Sequence, residues 1–419
     1  MNIYLKIYNL LSPTEKKKAI YVVLLTLVMG LVDAVGAASI MPFLSLVGNP
    51  QIINTNKLLQ FLKQISGIQT NQEFTFFVGI CVFLILVFSL SIKAITLYAQ
   101  VKFSMLRDFS FGRKLLILYL SQPYSWYLNK NSAELGKNIL GEVNDVVKNA
   151  LLPLLNLISG VIVFITMAGL MLIVEPKLAI LISGTFLICY LLIYKTIKKF
   201  ITKIGKSKFN ANKDRYQIIN EVFRAIKEVK ISNLESKFIK RYSNPALIHA
   251  QSNSKAKLAA SLPRFALEIV AFGGMFLVIL YLLRTYKDIN YILPTIGLYA
   301  YAGYRILPSL QTIYQSISTI KYATPSIENL SNDFRLYNEN LKINKNKSNR
   351  LIFPKKNIVL ENINFKFPSK QSNILKNIDI NIEANSITGF VGFTGSGKTT
   401  LVDIILGLLE PEKGNLKID

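Results

Sequence analysis

The sequence predicts an all-α membrane domain of six helices followed by the N-terminal part of an α/β P-loop domain. Three observations carry that prediction. The 419-residue chain is 51% hydrophobic, with a mean hydropathy of +0.36. It nevertheless carries 49 Lys+Arg against 24 Asp+Glu, a net charge of +25. A glycine-rich phosphate-loop pattern lies near its C-terminal end. A nucleic-acid binder this basic would be more polar, and a soluble globular protein this apolar could not hide its surface. A membrane protein with basic aqueous loops reconciles the two properties. High apolar content with only 17% charged residues excludes disorder. The two cysteines, Cys81 and Cys189, both lie in apolar runs, which excludes a disulfide scaffold.

The first domain spans residues 1–330. It contains apolar stretches at about 19–46, 74–98, 150–174, 178–197, 264–283 and 291–320. Each is long enough to cross ~30 Å of hydrocarbon as a helix of ~20 residues. The first is too long for a cleaved signal peptide and lacks a suitably placed small-x-small site. The intervening loops alternate in charge. Residues 1–18 sum to +3, residues 99–148 to +3 and residues 198–258 to +11. Residues 48–73, 175–177 and 284–289 sum to +1, 0 and +1. The positive-inside bias therefore predicts a cytoplasmic N-terminus, cytoplasmic long loops and a cytoplasmic C-terminal part.

Those long loops read as helical arms. The run Asn220–Ile231 sets Val222, Phe223, Ile226 and Val229 on one side at helical spacing. Residues 331–356, rich in Asn and Lys and summing to +5, read as a linker. Residues 357–419 change texture. Short apolar or alternating runs at 358–367, 378–382 and 387–391 read as strands of an α/β domain. No nucleic-acid partner is expected, because nearly all the charge excess sits in the aqueous segments of a membrane protein.

That domain contains Gly392-Phe393-Thr394-Gly395-Ser396-Gly397-Lys398-Thr399, matching G-x-x-x-x-G-K-[ST], with Thr400 following. Glycines let backbone N–H groups curl around phosphate oxygens. Lys398 can reach the β- and γ-phosphates, and the Thr399 hydroxyl can ligate Mg²⁺. A helix from Thr399 to Leu409 would add its positive N-terminal dipole. The cofactors implied are ATP and Mg²⁺.

Six spans, two long cytoplasmic loops and a C-terminal P-loop domain resemble an ABC exporter half-transporter over nearly the whole chain. The run Ile404-Ile-Leu-Gly407-Leu-Leu-Glu-Pro411-Glu-Lys-Gly414-Asn-Leu-Lys-Ile418-Asp419 is typical of that family. The family places an adenine-stacking aromatic about 25 residues before the P-loop. Phe365-Lys-Phe367-Pro matches it, with Phe367 as the stacking residue. The resemblance implies a dimer, with nucleotides sandwiched between two copies of the domain. The family's glutamine loop, signature motif, second acidic motif and switch histidine would lie beyond Asp419. The chain thus reads as a fragment without catalytic residues, expected to bind phosphate without hydrolysing it. The one histidine, His249, reads as solvated in a basic loop.

Ionisable residues inside apolar spans are costly and usually face a cavity or a partner. The candidates are Asp33, Lys93, Lys195, Arg264, Glu268, Arg305 and Lys321. Lys195 and Lys321 lie near helix ends and can snorkel, while Arg264 and Glu268 are spaced to pair. Arg305 lies roughly 22 Å along its helix at about 1.5 Å per residue. Lys93, Arg264 and Arg305 around one chamber, doubled in a homodimer, would suit an anionic group such as a pyrophosphate. Pro263-Arg264-Phe-Ala-Leu-Glu268, Tyr304-Arg305-Ile-Leu-Pro308 and Ala38-Ser-Ile-Met-Pro42-Phe resemble the bacterial lipid-linked oligosaccharide flippases of this superfamily. The resemblance implies that arginines matching Arg264 and Arg305 take the lipid pyrophosphate. Lys93 stands where that group has Arg, keeping charge but losing the bidentate fork. It also implies a bacterial inner-membrane location, membrane lipid as a partner and a lipid-linked glycan as cargo. The amphipathic segment Asn56–Ile65 reads either as an interfacial helix, like that group's external helix, or as a cap on the bundle.

Two other readings stay open. One is an exporter of drugs, peptides or other lipids. Another is a membrane-anchored P-loop signalling or gating protein that moves no cargo. A peptidase-bearing exporter is disfavoured, because no Cys/His pair precedes the first span.

Overall fold

The computed structural model describes residues 3–48, 51, 53, 57–128, 130–174, 176–285, 289–343, 353–367 and 372–419. It forms two compact units. The first comprises Met1–Leu115 and Gly136–Phe334, the second Leu116–Leu135 and Arg335–Asp419.

The helices run in chain order as α1 (Ile3–Leu10), α2 (Pro13–Gly48), α3 (Lys57–Ser66), α4 (Asn71–Leu120), α5 (Tyr124–Tyr127) and α6 (Ser132–Lys137). Then come α7 (Val143–Val146), α8 (Leu152–Val174), α9 (Pro176–Arg224), α10 (Ile226–Ile231) and α11 (Glu235–Ser261). The last are α12 (Pro263–Thr285), α13 (Ile289–Tyr322), α14 (Thr324–Ile343) and α15 (Lys398–Ile405). The chain widens into π-helical turns at Asn138–Glu142 and Val147–Leu151, on either side of α7.

All six apolar stretches fall within helices. Among the described residues, four helical runs are long and apolar enough to cross a membrane: Pro13–Gly48, Asn71–Leu120, Ser132–Val174 and Glu235–Leu277. The stretches at 178–197 and 291–320 lie in α9 and α13. α13 is central, packing against α8, α2, α9, α12 and α11. Its Ala302, Ile306 and Leu310 meet Met29 and Ala37 of α2, and Val163, Met167 and Met171 of α8. Phe83, Leu84 and Phe88 of α4 instead point outward and are mostly exposed, as expected of side chains meeting lipid tails.

In the second unit, β1 (Asn357–Phe365) is the centre of an antiparallel sheet ordered β2-β1-β3, with β2 at Leu375–Glu383 and β3 at Lys413–Ile418. Leu360 pairs with Ile380 on one side and Leu416 on the other. Leu401 and Ile404, three apart on α15, join Leu360, Ile363, Phe365 and Leu375 in one core.

Several expectations are corrected. The segment read as a linker from residue 331 begins as helix, because α14 continues to Ile343. Its Phe334 is buried edge-on against Phe111, with centroids 5.7 Å apart. One aromatic anchor leaves no periodic trace in a polar sequence. The helix through Asn220–Ile231 is broken at Ala225, whose φ/ψ of −109°/33° leaves the helical region. Of the four apolar residues there, Val229 is buried and Phe223 is exposed. Residues 387–391 are not a strand, because no described strand pairs with them and a ladder needs a partner. Strand β3 was not foreseen. Its Lys-Gly-Asn-Leu-Lys-Ile sequence is half polar, and only Leu416 is partly covered. Helix α15 ends at Ile405 rather than Leu409. Gly407 adopts φ 69°, and Leu408 N–H closes back on the Asp403 carbonyl at 2.8 Å.

Candidate functional site

The phosphate loop forms by local geometry. Gly397 caps α15 in the left-handed region at φ 91°. A Cβ there would meet Leu375 Cδ2 at 2.8 Å, so the position needs glycine twice over. Residues 391–396 are exposed, and Lys398 Nζ donates to the carbonyls of Gly392 and Phe393, both at 2.8 Å. Thr399 is exposed at the first turn of α15. Thr400, the next residue of the helix, is buried at 8% exposure. Phe367 is half-buried, edge-on to Phe365 with centroids 5.1 Å apart. A loop that only glycine can close, leading into a helix N-terminus beside a lysine, fits a nucleotide phosphate.

The intramembrane cations have separate surroundings. Arg305 on α13 is 7% exposed. Its Nη2 lies 3.2 Å from Asp33 Oδ1 on α2. Its Nε and Nη2 donate to the Tyr301 hydroxyl at 3.1 and 2.8 Å. Ser89 on α4 donates to the same Asp33 oxygen at 3.0 Å. Arg264 is exposed and pairs with Glu268 at 2.6 Å, and Lys93 lies exposed on α4. No hydrogen bond or ion pair among the described residues joins Lys93, Arg264 and Arg305. Asp33, named among the intramembrane ionisable residues but given no part in the site, is the residue the structure sets against Arg305. Its signal was available, as a lone acid inside an apolar span.

Two further polar clusters lie in the first unit. Glu15, in the first turn of α2 before the apolar stretch begins, is 6% exposed. It pairs with Arg107 and with Lys114, the latter at 3.2 Å. It also accepts from Ser110 and from the Ser12 backbone N–H at 2.7 Å. Burial pushes this carboxyl up, but the hydrogen bonds from Ser110 and Ser12 and the Lys114 charge prevail and hold it near 2. The second cluster surrounds Asp145, which pairs with Lys208 and accepts from Asn149 at 2.8 Å and Ser326 at 2.7 Å. Beside it opens a polar cavity of about 270 Å³ lined by Glu142, Asn212, His249 and Asn253. His249 is therefore not simply solvated: it is half-buried on α11, 3.4 Å from Asn253. The ion pairs of Glu15 with Arg107 and Lys114, and the contacts of Asp145 with Lys208 and Ser326, join residues far apart in sequence, and no local pattern announces them.

Comparison with known proteins agrees with this architecture. A family model described as "ABC transporter transmembrane region" matches residues 20–290, and one described as "ABC transporter" matches residues 375–419. The alpha-hemolysin translocation ATP-binding protein HlyB of Escherichia coli O157:H7 is 25% identical over 322 residues, covering 74% of this chain and 43% of that protein. The leukotoxin translocation ATP-binding protein LktB of Mannheimia haemolytica is 23% identical over 345 residues, covering 80% and 47%. ABC transporter B family member 29, chloroplastic, of Arabidopsis thaliana is 23% identical over 292 residues, covering 69% and 45%. The chain thus spans less than half the length of these curated relatives. The structure of a bacterial Atm1-family ABC exporter with ATP bound superposes with a TM-score of 0.68 at 14% identity, over 96% of this chain and 68% of that one.

Proposed function

The chain belongs to the ABC transporter family, and on that premise we propose that the protein is an ATP-driven exporter or flippase of an amphipathic anion. The cargo class is a lipid-linked oligosaccharide or polysaccharide precursor. The observation that carries this reading is cationic side chains within apolar spans, Lys93 on α4, Arg264 on α12 and Arg305 on α13. Two copies of the chain act as a homodimer in a bacterial inner membrane, with the N-terminus and the nucleotide-binding part cytoplasmic. That orientation is supported by the basic long loops. Arg305, with Lys93 and Arg264, recognises the pyrophosphate, and membrane lipid accommodates the tail.

ATP with Mg²⁺ supplies the free energy for transport when bound. Of this chain's own residues, Gly392–Gly397 provide backbone donors for the phosphates and Lys398 compensates their charge. Thr399 provides a hydroxyl for the metal, and Phe367 provides an aromatic face for adenine. The regions near Ser132–Asn138 and Asn220–Val229 relay movement to the spans.

A second reading is favoured by the relatives named for hemolysin and leukotoxin translocation: export of a polypeptide. ATP hydrolysis by the full-length protein in nanodiscs separates the two. Several-fold stimulation by a polyprenyl-pyrophosphate glycan, and none by unfolded polypeptide, supports the flippase. The reverse pattern supports polypeptide export. Nucleotide-dependent conformational change with neither cargo moved supports a gating protein.

A further inference from the structure

Arg305 and Asp33 form a neutral pair inside the helix bundle, at 7% and 2% exposure. The pair is incomplete. Asp33 Oδ1 takes both Arg305 and Ser89, whereas Oδ2 is buried with no hydrogen-bond partner among the described residues. An ionised carboxylate has about four acceptor sites, and an unfilled buried one is costly. Arg305 is likewise held at one carboxylate oxygen rather than across its planar fork. A diphosphate, with more oxygens and more charge, satisfies that fork better than this carboxylate does. An Arg305 with no anion would be an uncompensated charge among apolar helices. The same Nη2 that faces Asp33 also donates to the hydroxyl of Tyr301, which is half-buried, and the nearby Tyr304 is exposed.

We infer that Asp33 is a built-in counter-ion that occupies Arg305 between transport cycles, and that the anionic head group of the cargo takes Arg305 by displacing it. The inference rests on the anionic-cargo reading above. In the exchange the head group takes over Arg305, while Asp33 keeps its Ser89 bond and is left without a cation, so displacement costs the carboxylate its ion pair. The site thus selects for head groups that outbid a carboxylate: diphosphates bind, and neutral amphiphiles of the same tail have nothing to displace Asp33 with.

The test is equilibrium binding of radiolabelled farnesyl pyrophosphate, with farnesol as the neutral control. The 419-residue chain is purified in detergent, in a Lys398→Ala background that removes the phosphate loop's contribution. Asp33→Asn frees Arg305 and is expected to tighten farnesyl pyrophosphate about tenfold while leaving farnesol unchanged. Adding Arg305→Gln is expected to abolish that gain. Ser89→Ala keeps both charges but removes the one bond Asp33 retains once displaced, so farnesyl pyrophosphate is expected to bind about threefold more weakly and farnesol unchanged. It decides the matter if Asp33→Asn proves unstable. If the parent prefers the diphosphate over farnesol but Asp33→Asn binds it no more tightly, or, where Asp33→Asn is unstable, Ser89→Ala binds it no more weakly, the counter-ion inference is wrong and the anionic-cargo reading stands. A gain that survives Arg305→Gln also overturns the inference. If no variant distinguishes the diphosphate from farnesol, the anionic-cargo reading falls, and the inference with it.

Discussion

Helix α2 carries two buried acids, and they are built differently. Glu15 is surrounded: Arg107, Lys114, Ser110 and the Ser12 amide supply donors to both of its oxygens. Asp33 shares one oxygen between Arg305 and Ser89 and leaves the other unpartnered. A saturated carboxylate is a fixed clamp, holding the start of α2 against α4. An under-filled one is held loosely enough to exchange partners. Burial alone does not separate the two, since both are nearly inaccessible. The count of donors does.

Substitution should expose the contrast most strongly. Glu15→Gln leaves Arg107 buried without its partner and is expected to destabilise the chain by about 3–5 kcal/mol. Asp33→Asn should cost clearly less, because Asp33 answers one cation and Ser89 whereas Glu15 answers two cations and two further donors. Chemical denaturation in detergent measures both. Equal losses would mean that the Asp33 pair is as fixed as the clamp.

Acid should act through Glu15. Its carboxyl is depressed from 4.5 to about 2 in the folded chain. A depressed acid contributes stability that is full above its unfolded value and is lost as pH falls through its folded value. The Glu15 contribution is therefore complete above about pH 5 and declines toward pH 2. Midpoints measured from pH 6 to pH 3 should fall in the parent and fall less in Glu15→Gln. Parallel curves would show that another group dominates.

In the second unit, Gly397→Ala places a Cβ 2.8 Å from Leu375 at a φ of 91°. The strain of about 1–2 kcal/mol should distort the loop and weaken a fluorescent ATP analogue at least tenfold. Phe367→Ala should weaken the same analogue about fivefold, and Phe367→Tyr should preserve binding. The smallest effect belongs to the exposed pair Lys230–Glu235, 3.0 Å apart. Glu235→Gln should leave the denaturation midpoint unchanged, because water screens an exposed pair.

The same contrast explains what could be read from the sequence. The P-loop is local, as Gly392 to Thr399 carry their geometry in consecutive residues. The six apolar stretches were legible because each span is a continuous run. Clamp, pair and cavity were not, because Glu15 meets Arg107, Asp33 meets Arg305, and Asp145 meets Ser326 only once the bundle is packed. Residues 387–391 show the converse. Their apolar run looks like a strand, but a strand is a relation between segments, and its partner is not among the described residues.

The central claim is that this chain belongs to a machine that moves an amphipathic anion. Its most direct test is translocation by the full-length protein in proteoliposomes carrying a fluorescent polyprenyl-pyrophosphate sugar, scored by which leaflet a membrane-impermeant quencher can reach. The account predicts ATP-dependent redistribution that Lys398→Ala abolishes and that Arg305→Gln reduces at least tenfold. No redistribution of the lipid, with ATP-dependent passage of a labelled polypeptide in the same vesicles, would contradict it.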